Sequence, residues 1–307
     1  YLAWTAPRDD QAAAKLSMNL AYQSHISTAN GLYMELNEKH YGNQWPYPRY
    51  WQPYHFDASV AELKEARQIL FGNPRAFRFV LTGLIDHQKN RSLIEQYLAS
   101  LPVQAVANFK PEPLAHGRGN EIHYKIPQPF AMRLWHAYVP MEANSGSNAV
   151  ASFLSQLLQQ RLWQALRENT GETYGVYSNY ELSAQQGLLL KVEYQTDIKQ
   201  CDQSAKITAS EIARLRKEAP TLSEMQSVRA NLLKFQKDRM NKPMQYAEAL
   251  SWYWLMDGSL AGSAADFASF TPDYIHQYAK DWLSQSYWAV GNFNCSNTAD
   301  LTALAGD

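Results

Sequence analysis

The strongest pattern of hydrophobic positions lies in the middle of the chain and predicts a buried amphipathic helix. Its apolar residues share one helical face at spacings of three and four: Val150, Phe153, Leu154, Leu157, Leu158, Leu162, Ala165 and Leu166. Segments rich in β-branched and aromatic residues flank this helix and predict strands at 121–126, 132–139, 173–182 and 187–196. The pattern therefore predicts a domain of mixed helices and strands.

Helix breakers divide the C-terminal part of the chain into further helices. Pro220, Pro243 and Gly258 separate helical segments at 204–218, 221–240 and 243–257. Thr271, Pro272 and Asp273 supply an N-cap, a first-turn proline and a first-turn acid, and so predict one more helix. Residues 286–293 then predict a closing strand.

An earlier segment repeats this closing pattern. Ser59 and Glu62 form a capping box that predicts a helix to about residue 70, and residues 77–83 predict an aromatic strand that ends at glycine. The second copy ends a domain that begins near Gly119, whereas the first copy has too few preceding residues for a whole domain. Either the first domain is genuinely reduced or the chain is a piece of something longer, and we expect the second.

The predicted fold class is α+β, with two duplicated domains that each pack helices on an antiparallel or mixed sheet. Residues 1–105 form the incomplete domain, residues 106–118 a linker with scattered Pro and Gly, and residues 119–307 the complete domain. Asp86 caps a helix that ends at Leu101-Pro102, before the linker.

Composition and charge exclude several classes of protein. The chain has 307 residues, 46% of them hydrophobic, and a net charge of −1, so no field of one sign would attract nucleic acid. No apolar run approaches the roughly 20 residues that a membrane helix needs, and any targeting segment would lie outside this sequence. Cys201 and Cys295 allow either one disulfide or two packed thiols.

The sequence lacks the common signatures of a catalytic centre. No two of its eight histidines are four residues apart, so neither HExxH nor HxxEH is present, and there is no GxSxG, P-loop or GxGxxG. We expect no metal and no cofactor to be bound by this chain.

Two segments resemble the insulinase/pitrilysin family of zinc metallopeptidases. They are Phe77–Asp86 with the following Leu93–Pro102, which contains YLASLP, and Leu162–Val176, which contains LRE followed by Gly and Tyr. The resemblance implies one α+β domain repeated four times, in two halves that close around a peptide. Only the first half carries HxxEH, so this chain resembles the rear of the third domain followed by the fourth. The bacterial periplasmic or membrane-associated members are the most similar.

The resemblance also implies a role for two side chains. Arg167 and Tyr174 match the family residues that reach across the chamber to the backbone of the substrate. Arg167 would donate to a peptide carbonyl, and the phenol of Tyr174 would donate to the oxyanion that forms during hydrolysis. Glu168 is interpreted as a structural partner of Arg167.

Other aromatic residues are weaker candidates. Tyr177 and Tyr180 would lie on the chamber wall and contact substrate. Trp252, Tyr253 and Trp254 are consecutive on a predicted helix, so they cannot share one face. At least one of them would contact another domain or the missing half, and we interpret all three as interface residues.

The sequence therefore predicts the substrate-chamber half of a zinc metalloendopeptidase, inactive without its HxxEH-bearing half, which would hold the zinc. Its partners would be that half and a peptide, and the periplasm is the expected location. One alternative is a non-catalytic partner or assembly subunit of the same family. Another is an unrelated peptide-binding module that uses the aromatic segment Tyr41–Tyr54.

Overall fold

The computed structural model of the chain describes residues 29–42, 59–73, 77, 79–101, 113–117, 121–125, 128–168, 170–171, 173–257 and 266–295. A weak helical pattern at 12–20, most of the aromatic segment 41–54 and most of the predicted linker lie outside these residues. The division of the chain into domains therefore stays a prediction.

A mixed five-stranded sheet forms the centre of the C-terminal part. Its strands are β1 (Glu121–Tyr124), β2 (Ala131–Val139), β3 (Thr173–Ser183), β4 (Gly187–Thr196) and β5 (Tyr287–Phe293). Their order across the sheet is β1-β5-β2-β4-β3; β1 and β5 are parallel, and the other neighbours are antiparallel. The five strands predicted for this domain are confirmed, as is the α+β fold class.

Helices surround this sheet and precede it. They are α1 (Ala29–Tyr41), α2 (Val60–Phe71), α3 (His87–Ile94), α4 (Ser145–Leu162), α5 (Cys201–Lys217), α6 (Leu222–Met240), α7 (Pro243–Asp257), α8 (Asp266–Ser269) and α9 (Pro272–Ser284). Helices α3 and α4 each continue into a π-helical turn, Glu95–Ala99 and Trp163–Glu168. The caps predicted at Ser59, Asp86, Thr221 and Thr271 all accept hydrogen bonds from first-turn N–H groups.

The main core lies between one face of the sheet and helices α4, α5, α6, α8 and α9. Strand β2 contributes Trp135, Ala137 and Val139, and α4 contributes Phe153 and Leu157 among others, all of them buried. The face of α4 predicted from its apolar spacing is therefore the face that it buries, apart from Ala165, which is half-buried.

Helix α1 covers the opposite face of the sheet. Leu36 and Tyr41 of α1 are buried against sheet residues that include Leu134, Tyr138 and Phe293. The hydroxyl of Tyr33 donates to Glu181 on β3 at 2.7 Å and accepts from Lys191 on β4 at 3.1 Å. Both faces of β2 are thereby removed from water.

Helices α2 and α3 contrast with this packing. None of their described side chains is buried, and large apolar residues are exposed on both helices and on the segment between them: Val60, Leu63, Ile69, Phe71, Phe79, Leu81, Leu84 and Leu93. The strand predicted at 77–83 is wrong for the described residues there, which are irregular. A strand needs a neighbour for its backbone hydrogen bonds, and no described strand lies beside this segment.

The two cysteines form a disulfide. Cys201 at the start of α5 is bonded to Cys295, just after β5, with their Cα atoms 5.9 Å apart. Both are buried together with Ala131 of β2. The bond closes a loop with a sequence separation of 94 residues, which includes helices α5 to α9 but not α4.

Removal of this bond is expected to destabilise the chain strongly. Cys201→Ser with Cys295→Ala should lower the free energy of unfolding by about 2–4 kcal/mol, because the unfolded chain regains the entropy of a long open loop. Urea denaturation of the wild type, with and without reductant, and of the double variant measures this. Equal stability of all three would contradict it.

Three histidines meet beneath the end of α1 and are called the histidine cluster: His40, His116 and His136. The ring of His40 stacks on Tyr138 with centroids 3.7 Å apart, and its Nε2 lies 3.0 Å from Nδ1 of His116. The hydroxyl of Tyr138 donates to Asn37 at 2.8 Å and lies 3.2 Å from Nδ1 of His136, which therefore donates to it.

The cluster is held in the neutral form. Burial lowers the pKa of His40 to about 3, and the nearby His116 acts in the same direction. Burial also lowers the pKa of His136 to about 3, helped by Lys191 and His40. Burial lowers the pKa of His116 as well. Glu181, a carboxylate that acts on the neighbouring Tyr33 and Tyr138, is already paired with Lys191.

Acidification should therefore destabilise the fold. The pKa of His40 and of His136 is lower in the folded chain than the ordinary value of about 6.5, so the unfolded chain binds protons more readily. Stability should be fully present above pH 6.5 and fall towards pH 3, by about 1.4 kcal/mol per pH unit for each histidine. At pH 5 the loss should reach about 2 kcal/mol for each.

Urea denaturation between pH 7.5 and pH 5 measures this dependence. His40→Gln should reduce the loss between these pH values by about half, while His87→Gln, which changes an exposed histidine of α3, should leave it unchanged. A wild type whose stability stays constant down to pH 5 would contradict the assignment.

Candidate functional site: an exposed arginine and tyrosine beside the sheet

The end of α4 places Arg167 on the surface. Leu162 and Leu166 are fully buried and fix the π-helical turn to the core. Trp163 and Arg167, four residues apart, share the outer side, and the guanidinium carbon of Arg167 lies 4.8 Å from the centre of the Trp163 ring. This cation–π contact limits the orientations of the guanidinium.

The next segment brings Tyr174 beside it. Gly171 has φ +67°, a conformation that glycine adopts readily, and its N–H donates to the carbonyl of Arg167 at 3.1 Å. The chain reverses there and enters β3, where Nη1 of Arg167 donates to the carbonyl oxygen of Tyr174. The structure therefore brings the two predicted residues together.

A β-bulge explains why Tyr174 points to solvent. Thr173 and Gly175 pair with Thr196 and Gln195 of β4, so Tyr174 between them has no partner on that strand. A bulge of this kind re-aims a side chain, and the Tyr174 side chain is 85% exposed. The guanidinium and the phenol are thus both available on one surface.

Two contacts hold α4 and β3 in place around this pair. The side-chain amide of Gln159 donates to the carbonyl of Val176 at 2.6 Å and accepts from the N–H of Ser178 at 2.5 Å. Gln159 thus occupies backbone groups on the free edge of β3, because β3 is the last strand of the sheet. Arg161 makes two hydrogen bonds, of 2.7 and 3.2 Å, to Glu224 of α6.

The Arg161–Glu224 pair is a fixed structural contact. The Arg161 side chain is 3% exposed and that of Glu224 is 15% exposed. Burial alone would raise the pKa of Glu224, but hydrogen bonds from Arg161 and Thr221 outweigh burial and lower it. The pair therefore keeps its charges while it joins α4 to α6.

The other aromatic candidates lie in different places. Tyr177 and Tyr180 are three residues apart on β3 and so face opposite sides of the sheet. Tyr177 is 65% exposed on the α1 side, whereas the hydroxyl of Tyr180 donates to Asn148 of α4 at 2.9 Å on the helix side. The two do not form one wall.

The three consecutive aromatic residues lie on α7. Trp252 is partly buried against the main core, and its ring meets that of Tyr253 edge-to-face with centroids 5.5 Å apart. Trp254 is 39% exposed. As the sequence predicts, they do not share one face.

Sequence reasoning missed the residues that position the pair. Trp163 stands one helical turn before Arg167, and this spacing of four was a usable signal. Gln159 had no such signal, because its contact with β3 depends on the tertiary structure.

Metal ligands were sought across the described residues. No three His, Cys, Asp or Glu side chains lie close enough there to hold a metal ion, so these residues do not fit a zinc site. Among the same residues, no helix has the length and apolar character required to cross a bilayer.

Comparison with known families assigns the chain. The model described as the peptidase M16 inactive domain matches residues 57–232, which is more than half of the sequence. The chain therefore belongs to the peptidase M16 family, and the resemblance to insulinase/pitrilysin peptidases is confirmed. A search of curated proteins gave no match.

Solved structures share the fold. The peptidase M16 inactive domain from Pseudomonas fluorescens has a TM-score of 0.73 and 19% identity, over 96% of this chain and 72% of that one. The periplasmic protease PqqL from Escherichia coli has a TM-score of 0.74 and 16% identity, over 95% of this chain and 33% of PqqL. The first half of PqqL alone has a TM-score of 0.72 and 15% identity, over 97% of this chain and 70% of that half.

Proposed function

We propose that this chain is the non-zinc half of a two-part zinc metalloendopeptidase and supplies one wall of the chamber that holds the peptide. The observation that supports this most directly is the exposed pair Arg167 and Tyr174, side by side on a domain of the peptidase M16 family. The chain spans a third of the length of PqqL. The peptidase activity of a complete two-half protein is therefore proposed, not observed, for this chain.

The pair would act by hydrogen bonding to the backbone of the substrate. Arg167 uses one N–H on the Tyr174 carbonyl, and its remaining N–H groups make no hydrogen bond with any described residue. They can donate to a peptide carbonyl, while the exposed phenol of Tyr174 can donate to the charge that develops on the carbonyl oxygen during hydrolysis. Zinc, on this proposal, is held by the other half.

The uncovered apolar residues of α2 and α3 fit the same proposal. They would belong to the rear of a third family domain, whose front part would cover them. Trp254, exposed on α7, is a candidate for contact with the zinc-bearing half.

The proposed compartment is the bacterial periplasm or the membrane face towards it. The Cys201–Cys295 bond supports this location, because structural disulfides persist in oxidising compartments. The similarity to PqqL, a periplasmic protease, agrees with it.

A second function within the family is a non-catalytic partner or assembly subunit. The family description as an inactive domain agrees with this function as well as with the first. Membership of the family argues against the third possibility, an unrelated binding module.

Substitution of the pair tests the catalytic proposal in the complete two-half protein. Tyr174→Phe removes one hydrogen bond to a developing charge and should lower kcat about 10- to 100-fold with KM little changed. Arg167→Lys should lower kcat/KM by about tenfold or more, because an ammonium cannot copy the planar fork of donors.

Hydrolysis of a fluorogenic peptide measures both values. Tyr97→Phe and Arg91→Lys make the same changes on exposed side chains of the α3 segment and serve as controls. If Tyr174→Phe and Tyr97→Phe hydrolyse the peptide equally well, the role given to Tyr174 is wrong.

The division of labour between the halves has a separate test. The purified chain alone should contain no stoichiometric zinc by elemental analysis, and it should cleave no peptide. Addition of the HxxEH-bearing half should restore cleavage. One tightly held zinc per isolated chain would refute the proposed division, and a metal-loaded, inactive pair of halves would favour the assembly subunit.

A further inference from the structure

A small cavity lies on the helix side of β3, away from the Arg167–Tyr174 pair. Its volume is about 320 Å³, at the lower end of the range for small-molecule sites. Its main lining residues are Tyr180 and Leu182 of β3, Asn148 of α4, Arg239 of α6, and Trp252 and Tyr253 of α7. We call it the α6–α7 pocket.

The charge in this pocket is the guanidinium of half-buried Arg239, which has no counter-ion among the residues that the structure describes. Arg239 makes one hydrogen bond, from Nε to the carbonyl of Gln245 at 3.3 Å, and no described carboxylate is paired with it. Glu181 also borders the pocket, but its carboxylate is bound by Lys191 and Tyr33 on the opposite face of the sheet. The charge of Arg239 is therefore available to an anion.

The remaining surface of the pocket is apolar or hydrogen-bonding. Leu182 and Ala249 are buried, and Trp252 and Tyr253 meet edge-to-face. The hydroxyl of Tyr180 donates to Oδ1 of Asn148 and is thereby fixed. Burial raises the pKa of Tyr180 to about 12, and Ser152 and Arg239 act against this rise.

From these contacts we infer that the α6–α7 pocket binds the free C-terminal carboxylate of a peptide whose last residue has a large apolar or aromatic side chain. Arg239 pairs with the carboxylate, and Trp252 and Leu182 contact the side chain. A single guanidinium beside an aromatic wall suits a monocarboxylate with an apolar body better than a phosphate, which would need several donors. This binding does not depend on the proposed peptidase activity, because the chain alone contains every residue involved.

Calorimetric titration of the purified chain tests this with two matched peptides. Acetyl-Ala-Ala-Phe with a free carboxylate should bind about 10- to 100-fold more tightly than the same peptide with a C-terminal amide, which lacks the charge-assisted hydrogen bond. Acetyl-phenylalanine, titrated in parallel, should bind more weakly than the tripeptide, which separates a peptide site from a site for single amino acids.

A pair of variants assigns the effect to Arg239. Arg239→Gln should remove the preference for the free acid, while Lys237→Gln removes a charge from the same end of α6, outside the pocket, and should keep it. Thermal unfolding of both variants checks that they are folded. Equal binding of acid and amide, no binding of either peptide at millimolar concentration, or equal losses in the two variants would each overturn the inference.

Discussion

The structure depends on the complete burial of strand β2. All nine of its residues are buried, so both faces of this strand are covered. Alternate side chains enter two different cores: Trp135 and Val139 meet the helix layer, whereas Leu134 and Tyr138 meet α1. Because both covers are required, α1 is part of the same packed unit as the sheet, although Asn37 and Tyr138 are 101 residues apart.

Helix α4 transmits this constraint to the candidate site. One face of the helix is locked into the main core, and Gln159 and Arg161 fix the neighbouring strand and helix from its sides. The turn that carries Arg167 continues directly from this fixed helix. The exposed pair is therefore held on rigid elements, with Arg167 on a π-helical turn and Tyr174 at a bulge. Binding surfaces on rigid elements keep their geometry when they are exposed to solvent.

Much of this arrangement could be predicted from local pattern. The apolar spacing of α4, the β-branched and aromatic residues of the strands and the capping residues are local signals, and the family motif indicated Arg167 and Tyr174. Two strand residues that are three apart face opposite sides of the sheet. The prediction that Tyr177 and Tyr180 lie on one wall did not apply this rule. The packing of α1, the contact of Gln159 and the choice between disulfide and free thiols depend on residues far apart in sequence, and no local pattern contains them.

The two copies of the internal repeat show that a capped helix forms from local sequence alone, whereas a strand also needs neighbouring strands. Both copies begin with a capped helix, and α2 and α9 both form because the caps and the helical hydrogen bonds lie within each segment. The second copy also has its strand, since β5 lies between β1 and β2, which bond to its two edges. The first copy has the same kind of sequence at 77–83 but no described strand at either edge, and it is irregular.

The helices of the two copies also differ in burial. Helix α9 buries Ile275, Ala279 and Leu283, whereas the described apolar residues of α2 stay exposed. Compared with the covered copy, the uncovered one lacks, among the described residues, a strand on each edge and helices over its apolar side.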